Sequence, residues 1–286
     1  MNVVSINGSS GFIGSALCKY LADKYTINRI NRDDYLCDPK VLARKIEGSD
    51  VIINLAGYPI SKLWTSTNRE KIVDSRLVTS RNLVNSFNYL QKKPRLFISA
   101  SGIDIYEGGI PHTESSTTFA DDFLGNLCRS WEYEAKKAER FNISVSLIRT
   151  GIVFGSNGGY FNKVGSTIPF KFLVCFGSGK QRVSFIHLDD YCRGIDYIIE
   201  HNLSGVYNFV APNSCSNHIL VKTLKDISGS MAILKIPSYL LKILPHHQSD
   251  LFLKSNEIYS EKLLNAGFSF RFSTIKEVLQ SFYIRH

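Results

Sequence analysis

Hydrophobic positions at the start of the chain change from a short run to helical spacing. Val3, Val4 and Ile6 form an apolar run, and a glycine-containing turn follows it directly. Leu17 and Leu21 then lie four residues apart, on one side of a helix. The pattern predicts a strand, a tight turn and a helix.

The same alternation continues through the first half of the chain. Residues 50–57 are a continuous apolar run, which predicts a strand buried on both faces. Because strands and helices alternate, we expect an α/β fold with a Rossmann-type, doubly wound parallel sheet that binds ligands at the carboxyl ends of its strands. The other predicted strands are 27–30, 95–101, 144–149, 183–187 and 206–210, and the predicted helices are 68–90, 121–141 and 189–201.

The alternation ends after Gly155, where glycine-rich loops and an irregular helical tail begin. We therefore expect a nucleotide-binding domain from residues 1–155, completed by residues 181–213. Residues 156–180 and 214–286 are expected to form a small, mostly C-terminal lobe on the substrate side. Prolines in the tail do not fit a nucleotide-binding repeat.

The turn after the first strand has the spacing of a dinucleotide-binding turn. Gly8, Gly11 and Gly14 follow a G-x-x-G-x-x-G pattern between the strand and the helix. Gly8 lets the chain turn sharply, Gly11 lets the backbone approach a pyrophosphate, and Gly14 lets the helix pack on the strand. The unpaired N–H groups and the positive dipole end of the helix stabilise a phosphate there.

The end of the second strand indicates which nucleotide is bound. Asn31 and Arg32 follow this strand, where enzymes that use NAD usually have a carboxylate for the ribose hydroxyls. A basic residue suits a 2′-phosphate instead, so Arg32 favours NADP(H) over NAD(H). Asp33 and Asp34 keep NAD(H) open as the alternative.

The charge and composition exclude several classes of function. Lys and Arg number 34 against 25 Asp and Glu, a formal net charge of +9, but the basic residues are scattered. This favours a basic surface that attracts an anionic cofactor or a small-molecule substrate over nucleic-acid binding. The six cysteines form no C-x-x-C pair, so we expect no metal site. Since no apolar run approaches about 18 residues and no signal peptide is visible, we expect a cytoplasmic protein without a membrane partner.

Further motifs, in order along the chain, resemble one branch of the extended short-chain dehydrogenases/reductases. That atypical, poorly characterised branch contains proteins labelled epimerase family protein, sugar-nucleotide epimerase or cell-division-inhibitor-like protein. The motifs are Asn54-Leu55-Ala56-Gly57, Trp64-Thr65, Ser75-Arg76, Trp131-Glu132, residues 149–153, Gly158-Gly159, residues 177–181, Phe185-Ile186-His187 with Asp189-Asp190, and Gly267-Phe268-x-Phe270.

The resemblance implies a set of contacts with the dinucleotide. They are Gly8, Gly11, Phe12, Ile13 and Gly14 for the pyrophosphate, Asn31 and Arg32 for the 2′-phosphate, Leu55, Ala56 and Gly57 for the ribose, and Arg76 as a second phosphate partner. A solvated arginine on the helix surface is the alternative interpretation of Arg76.

Active members of the superfamily use a Tyr-x-x-x-Lys pair to exchange a proton with the substrate oxygen. Tyr133 and Lys137 satisfy this spacing. In extended members, however, an Ala-Glu pair follows the tyrosine by seven and eight positions. Ala138-Glu139 then puts Trp131 at the tyrosine position and Ala135 at the lysine position. We therefore expect Tyr133 and Lys137 to point away from the cofactor.

The usual serine is also displaced. Counted back from the strand-end tyrosine, its position holds Gly102, so the neighbouring Ser101 is the first catalytic candidate. His187 is the second, with the alternative that it only orders the loop before Asp189-Asp190. The further candidates for proton transfer are Asp104, Tyr106 and Glu114.

Together the residues and the resemblance predict an NADP(H)-binding oxidoreductase or epimerase that acts on a sugar nucleotide or a small carbonyl compound. The alternative is a catalytically silent NADP(H)-binding sensor or interaction protein. A homodimer formed through the long helices near 68–90 and 121–141, which the superfamily uses for pairing, and a monomer are both open.

Overall fold

A six-stranded parallel sheet forms the centre of the structure. The computed structural model describes residues 2–156, 158, 161 and 165–283. The strands are β1 (Val3–Asn7), β2 (Thr26–Ile30), β3 (Val51–Asn54), β4 (Leu96–Gly102), β5 (Ser144–Thr150) and β6 (Gly205–Phe209). Their order is β6-β5-β4-β3-β1-β2, and each ladder is parallel. The order reverses between β1 and β3, and a sheet of this kind binds ligands at such a switch point.

Helices cover both faces of this sheet. The longer helices are α1 (Phe12–Leu21), α2 (Arg32–Leu36), α3 (Pro39–Ile46), α4 (Ser66–Ser86), α5 (Phe123–Lys136), α6 (Leu188–Glu200), α7 (Asn217–Ser228) and α8 (Ile275–Tyr283), and shorter ones span Ser238–Leu241, Asp250–Leu253 and Glu261–Asn265. The α/β, Rossmann-type prediction is therefore confirmed. The predicted helices 68–90 and 121–141 are each an α-helix that ends in a short 3₁₀ turn, at Phe87–Tyr89 and Lys137–Phe141.

Alternate residues of β3 pack on opposite faces of the sheet. Val51 and Ile53 belong to the core beneath α1 and α6, and Ile52 belongs to the core beneath α3, α4 and α5. All four residues of β3 are buried, as the continuous apolar run predicts. The two cores hold the carboxyl ends of β1, β3 and β4 at one edge of the sheet.

A second group of elements packs beside the sheet. Residues Phe172–Phe176 pair with Ala232–Ile236, Arg182–Val183 with Cys215–Ser216, Ile152–Gly155 with Phe185–His187, and Pro111–His112 with Glu257–Ile258. The first three pairs share a core that includes Phe154 and Phe185, together with Leu220 from α7 and Val278 from α8. These residues come from both of the predicted parts of the chain, and the predicted division stays a prediction.

The buried carboxylate of Asp190 joins α6 to the end of the chain. It accepts hydrogen bonds from the backbone N–H groups of Arg271, at 3.0 Å, and Phe272, at 2.9 Å. The Arg193 guanidinium also donates to it, at 2.6 Å. Asp190 is 0% exposed, so these donors replace the water that it loses on folding.

Candidate functional site

The turn between β1 and α1 requires glycine at two positions. Gly8 has a φ of +81°, and a Cβ on it would lie 2.8 Å from the carbonyl carbon of Leu55 on the neighbouring strand. A Cβ on Gly14 would lie 2.1 Å from the carbonyl oxygen of Gly8. The backbone therefore turns tightly and brings the first turn of α1 against the end of β1.

The first turn of α1 has free donors. Gly11 precedes the helix, no side chain caps it, and the first turn contains no acidic residue. The first N–H groups of a helix have no partner within it, and they lie at its positive dipole end. This arrangement fits an anionic group such as a pyrophosphate, with Gly11, Ile13 and Gly14 at or in this turn.

Phe12 packs against a glycine hairpin. Cβ atoms on Gly155 and Gly158 would lie 2.8 Å and 2.4 Å from carbon atoms of its ring. The side chain of Phe12 is therefore occupied by this contact, and its backbone N–H is the group at the helix start.

Arg32 and Asp34, which follow β2, differ in their contacts. Arg32 is exposed, and no ion pair or hydrogen bond to its side chain occurs among the described residues. Asp34 instead accepts hydrogen bonds from the Asn31 N–H, at 2.7 Å, and the Lys45 ammonium, at 3.1 Å. Although partial burial acts to raise it, these donors hold the pKa of Asp34 below its ordinary value. Asp34 thus caps α2, whereas Arg32 faces solvent.

A chain of buried hydrogen bonds supports the ends of β1 and β3. The Asn7 amide donates to Asn54 Oδ1 at 3.0 Å, and Asn54 Nδ2 donates to Ser80 Oγ at 2.9 Å. Trp131 Nε1 donates to the same Ser80 oxygen, at 2.9 Å. Asn54 Oδ1 also accepts from the Ala56 N–H, at 3.3 Å. This network holds the segment that begins with Leu55, and we did not predict it because its members lie on four separate elements.

Arg76 lies over this segment. Its Nη2 would be 3.0 Å from a Cβ on Gly57, and its guanidinium lies 5.2 Å from the centre of the Trp131 ring. Arg76 Nη1 donates to the backbone oxygens of Tyr58, at 3.1 Å, and Ile72, at 3.0 Å. Burial lowers the pKa of this guanidinium, and no carboxylate pairs with it in the described part of the chain. Arg76 is thus an enclosed cation beside Gly57 rather than a solvated helix residue.

The structure separates the two sides of α5. Trp131 is 6% exposed, whereas Tyr133 is 65% exposed. The Lys137 ammonium forms an ion pair with Glu134 at 2.8 Å and lies 4.6 Å from the centre of the Tyr133 ring. Tyr133 and Lys137 are therefore on the outer side of the helix.

Ser101 belongs to a buried polar network. Its hydroxyl donates to Glu132 at 2.8 Å, and Glu132 forms two further 2.8 Å bonds with the Arg149 guanidinium. Arg149 also donates to Tyr106 Oη at 2.8 Å, and that hydroxyl donates to Asn208 at 2.9 Å. Burial acts to lower the pKa of Arg149, but Glu132 and Tyr106 raise it above its ordinary value. The network joins β4, α5, β5 and β6.

Two sequence motifs contain members of this network, Trp131-Glu132 and Arg149-Thr150, and we assigned no function to either of them. The pairing of Glu132 with Arg149 is a contact between α5 and β5, and neither motif contains information about the other.

His187 is also engaged. Its Nδ1 accepts a hydrogen bond from the Asp189 N–H at 3.1 Å, and its Nε2 lies 3.3 Å from Ser281 Oγ. The ring packs between Phe272 and Phe282, and burial lowers its pKa. Its recorded partners are thus loop and C-terminal residues, and none of them belongs to the network of Ser101.

A cavity of about 670 Å³ opens between α4, α5 and the C-terminal segment. Its lining includes Trp64, Arg69, Asp104, Asp121 and Lys254. Arg69 lies 4.3 Å from the centre of the Phe123 ring, and its Nε is buried without a hydrogen-bond partner. This volume is in the range of small-molecule sites.

Asp104 lines this cavity and lies in the turn Ile103–Ile105, which follows β4. Burial raises the pKa of its carboxyl group, and nearby Asp122 acts in the same direction. The opposing cations are Lys254 and Arg76. The other acid in the predicted loop, Glu114, accepts backbone N–H bonds from Asn208 and Lys262, so it serves as a bridge between segments.

Within the described residues, no group of three or more His, Cys, Asp or Glu side chains is placed to hold a metal ion. No helix in this part of the chain combines the length and the apolar character needed to cross a bilayer.

Comparison with known proteins places these features in a family context. Residues 4–209 match the NAD dependent epimerase/dehydratase family, and residues 236–282 match a domain of unknown function, DUF1731. An epimerase family protein of Staphylococcus haemolyticus is 30% identical over 95% of both chains. A chloroplastic epimerase family protein of Arabidopsis thaliana is 28% identical over 97% of this chain and 86% of its own.

Two solved structures show the same fold at low sequence identity. Human epimerase family protein SDR39U1, crystallised with NADPH, has a TM-score of 0.88 at 24% identity and covers 98% of both chains. The UDP-glucuronic acid 4-epimerase of Bacillus cereus, crystallised with UDP-glucuronic acid and NAD, has a TM-score of 0.80 at 19% identity, again over 98% of both chains.

Proposed function

The chain belongs to the NAD dependent epimerase/dehydratase family, and on that premise we propose that it binds NADP(H) at the turn between β1 and α1. The uncapped first turn of α1 carries this proposal. Gly8, Gly11, Phe12, Ile13 and Gly14 would surround the pyrophosphate, and the N–H groups of the first turn of α1 would be its donors. The Gly11 N–H itself donates to the Gly8 carbonyl oxygen, at 3.0 Å.

The selectivity for NADP(H) rests on the end of β2. Arg32, with Asn31, would hold the 2′-phosphate. Arg32 is exposed and has no ion-pair partner among the residues that the structure describes, while Asp34 already caps α2. The segment from Leu55 to Gly57 would line the ribose, with Arg76 as a further cation beside it. The human relative crystallised with NADPH supports this choice, although the Bacillus cereus epimerase contains NAD.

The test is a binding titration with NADPH and NADH, followed by fluorescence. Arg32→Ala should raise the Kd for NADPH about 10- to 100-fold, the effect of losing charged hydrogen bonds worth about 1.5–3 kcal/mol, and leave the Kd for NADH unchanged. Arg44→Ala removes another exposed arginine and is the matched control. Failure of both nucleotides to bind at submillimolar concentration would contradict the proposal.

We further propose that the protein is an oxidoreductase or epimerase for a small carbonyl compound or sugar nucleotide, with its usual Tyr-x-x-x-Lys pair out of register. When bound, the dinucleotide supplies or accepts a hydride. The chain's own task is to enclose the substrate and move a proton at its oxygen. The cavity beside the strand ends supports this proposal. The outward position of Tyr133 supports the inference that the Tyr-x-x-x-Lys pair is out of register.

The second candidate is a catalytically silent NADP(H)-binding sensor or interaction protein. The observation that favours it is the engagement of Ser101 and His187 in buried contacts, which leaves neither hydrogen-bonding group free in the structure. It predicts tight NADPH binding without turnover of any carbonyl or sugar-nucleotide substrate. The choice between a monomer and a homodimer, and the expected cytoplasmic location, stay predictions.

A further inference from the structure

We propose that Asp104 is the proton-transfer residue of this protein, and that it acts on a carbonyl or hydroxyl oxygen of a substrate held in the 670 Å³ cavity. The inference deepens the proposed function and rests on it. It assigns to an aspartate the task that the superfamily gives to a tyrosine.

The position of Asp104 is the first argument. Its Oδ2 would lie 3.7 Å from a Cβ on Gly102, the last residue of β4 and the position where the superfamily has its serine. The carboxyl group therefore lies at the sheet edge where ligands bind in this fold, and it also lines the cavity. A side chain at position 102 would therefore contact this carboxyl group as well as the Cys128 sulfur, which would lie 3.3 Å from the same Cβ.

The charged groups around Asp104 are the second argument. They are Arg76 from α4, Asp122 directly before α5, and Lys254 from the C-terminal segment. The neighbouring Cys128 thiol is neutral, because burial raises its pKa. The Lys254 ammonium donates to Asp122 Oδ2 at 2.9 Å and to the backbone oxygen of Asp104 at 3.1 Å. Lys254 is therefore paired with Asp122, and among the described residues no side chain donates a hydrogen bond to the Asp104 carboxylate.

Burial is the third argument. The carboxylate is largely removed from water, and no cation pairs with it in the described part of the chain. Its pKa is therefore raised above its ordinary value, mainly by loss of hydration. A carboxyl group that stays protonated closer to neutral pH is suited to give and take a proton.

The proposed step conserves protons and electrons in both directions. In the direction of reduction, the Asp104 carboxyl group gives its proton to the carbonyl oxygen while the carbonyl carbon receives the hydride of NADPH, and the product is an alcohol and NADP⁺. The carboxylate then regains a proton from water at the cavity mouth. In the direction of oxidation, the carboxylate removes the hydroxyl proton.

The other candidates are less suited to this task. The Ser101 hydroxyl donates to Glu132, and the two nitrogens of His187 contact Asp189 and Ser281. Tyr133 is on the outer side of α5. Asp104 combines a free carboxyl group with a place in the cavity wall.

The first experiment is a pH titration of the protein without ligand, followed by NMR of ¹³C-labelled aspartate carboxyl groups. Asp104→Asn identifies the Asp104 signal, and Asp104→Glu does so if the asparagine variant does not fold. An unstructured peptide that contains one aspartate is titrated in parallel as the reference. We expect Asp104 to titrate at higher pH than the peptide aspartate, because burial raises its pKa, and a midpoint at or below that of the peptide would overturn the proposal.

The second experiment measures turnover with NADPH and methylglyoxal, and with NADP⁺ and UDP-glucuronic acid. Loss of a general acid or base costs about 10²- to 10⁴-fold. Asp104→Asn should therefore lower kcat/KM at least about 100-fold while NADPH still binds. Asp226→Asn changes an exposed aspartate on α7 that does not line the cavity, and it should behave like the unmodified protein. For reduction, kcat/KM should fall as pH rises through the pKa of Asp104, because the donor must be protonated, and Asp104→Asn should lack this decline.

The outcomes separate the two proposals. Turnover by Asp104→Asn close to that of the unmodified protein, or no turnover of either probe by the unmodified protein, would overturn the role of Asp104. Absence of NADPH binding would overturn the proposed function instead, and the NMR titration does not depend on that binding.

Discussion

The two strand ends at the edge of the sheet differ in what they are made of. The end of β1 is built from backbone: Gly8, Gly11 and Gly14 shape a tight turn that leads into the uncapped first turn of α1. The end of β4 is built from side chains, with Ser101 and Glu132 joined in a buried network and Asp104 beside the cavity. The first region depends on glycines close together in the sequence, and the second depends on side chains from several elements.

This difference indicates how binding and chemistry separate in one fold. A backbone turn needs only the absence of side chains at a few positions, so it tolerates change elsewhere in the chain. Acid–base chemistry needs particular groups within hydrogen-bond reach of one oxygen, and a shift of two residues along α5 moves a side chain about 200° around the helix. The family's nucleotide site can thus persist while its proton-transfer group changes.

The largest effect should come from adding one methyl group to the backbone-built region. Gly14→Ala places a Cβ against the Gly8 carbonyl oxygen, where neither backbone can yield, and should lower the free energy of unfolding by about 3 kcal/mol. Gly11→Ala is the control for packing, since its Cβ would meet the same oxygen at 3.3 Å. We expect Gly11→Ala to fold normally but to bind NADPH more weakly; urea unfolding and nucleotide titration measure the two effects. Equal stability losses in both variants would contradict this division.

A similar loss is expected in the side-chain-built region when its charge balance is broken. Glu132→Gln leaves the Arg149 guanidinium buried without a counter-charge, and should lower the free energy of unfolding by about 3 kcal/mol. Arg81→Gln removes a 56%-exposed partner of Glu134 and should cost less than about 1 kcal/mol. Urea unfolding of both variants tests the contrast, and a loss below 1 kcal/mol for Glu132→Gln would show that the network is dispensable.

The smallest effect should come from the residue that matches the superfamily spacing literally. Tyr133→Phe removes an exposed hydroxyl and should change the free energy of unfolding by less than about 0.5 kcal/mol. It should also leave NADPH binding and any turnover unchanged. A loss of turnover near 100-fold would identify Tyr133 as the proton-transfer residue. The contrast between the two regions would then be wrong.

The backbone-built region could be predicted from the sequence because its signals are local. The apolar run, the three glycines and the helical spacing all fall within residues 3–21, and the structure has a strand, a turn and α1 there. The buried strand β3 was predicted for the same reason, since four consecutive apolar or amide residues in a parallel sheet pack on both faces.

The side-chain-built region could be predicted only in part. Helical geometry placed Trp131 inward and Tyr133 outward, because both lie on one helix with a clear apolar stripe. The partners of Ser101, Asp104 and Arg149 come from elements 17 to 150 residues away along the chain. No local pattern specifies which distant residue meets them, so their pairing needed the tertiary structure.

The donors to the Asp190 carboxylate are synthesised at different times. It accepts a hydrogen bond from the backbone N–H of Arg271, and that residue is synthesised 81 residues later. At about 5–20 residues per second, the ribosome needs roughly 4 to 16 seconds to supply that donor. During that interval the nascent chain has the Arg193 side chain as the local partner for this acid. Asp190 thus has its full set of donors only after Arg271 and Phe272 have been synthesised.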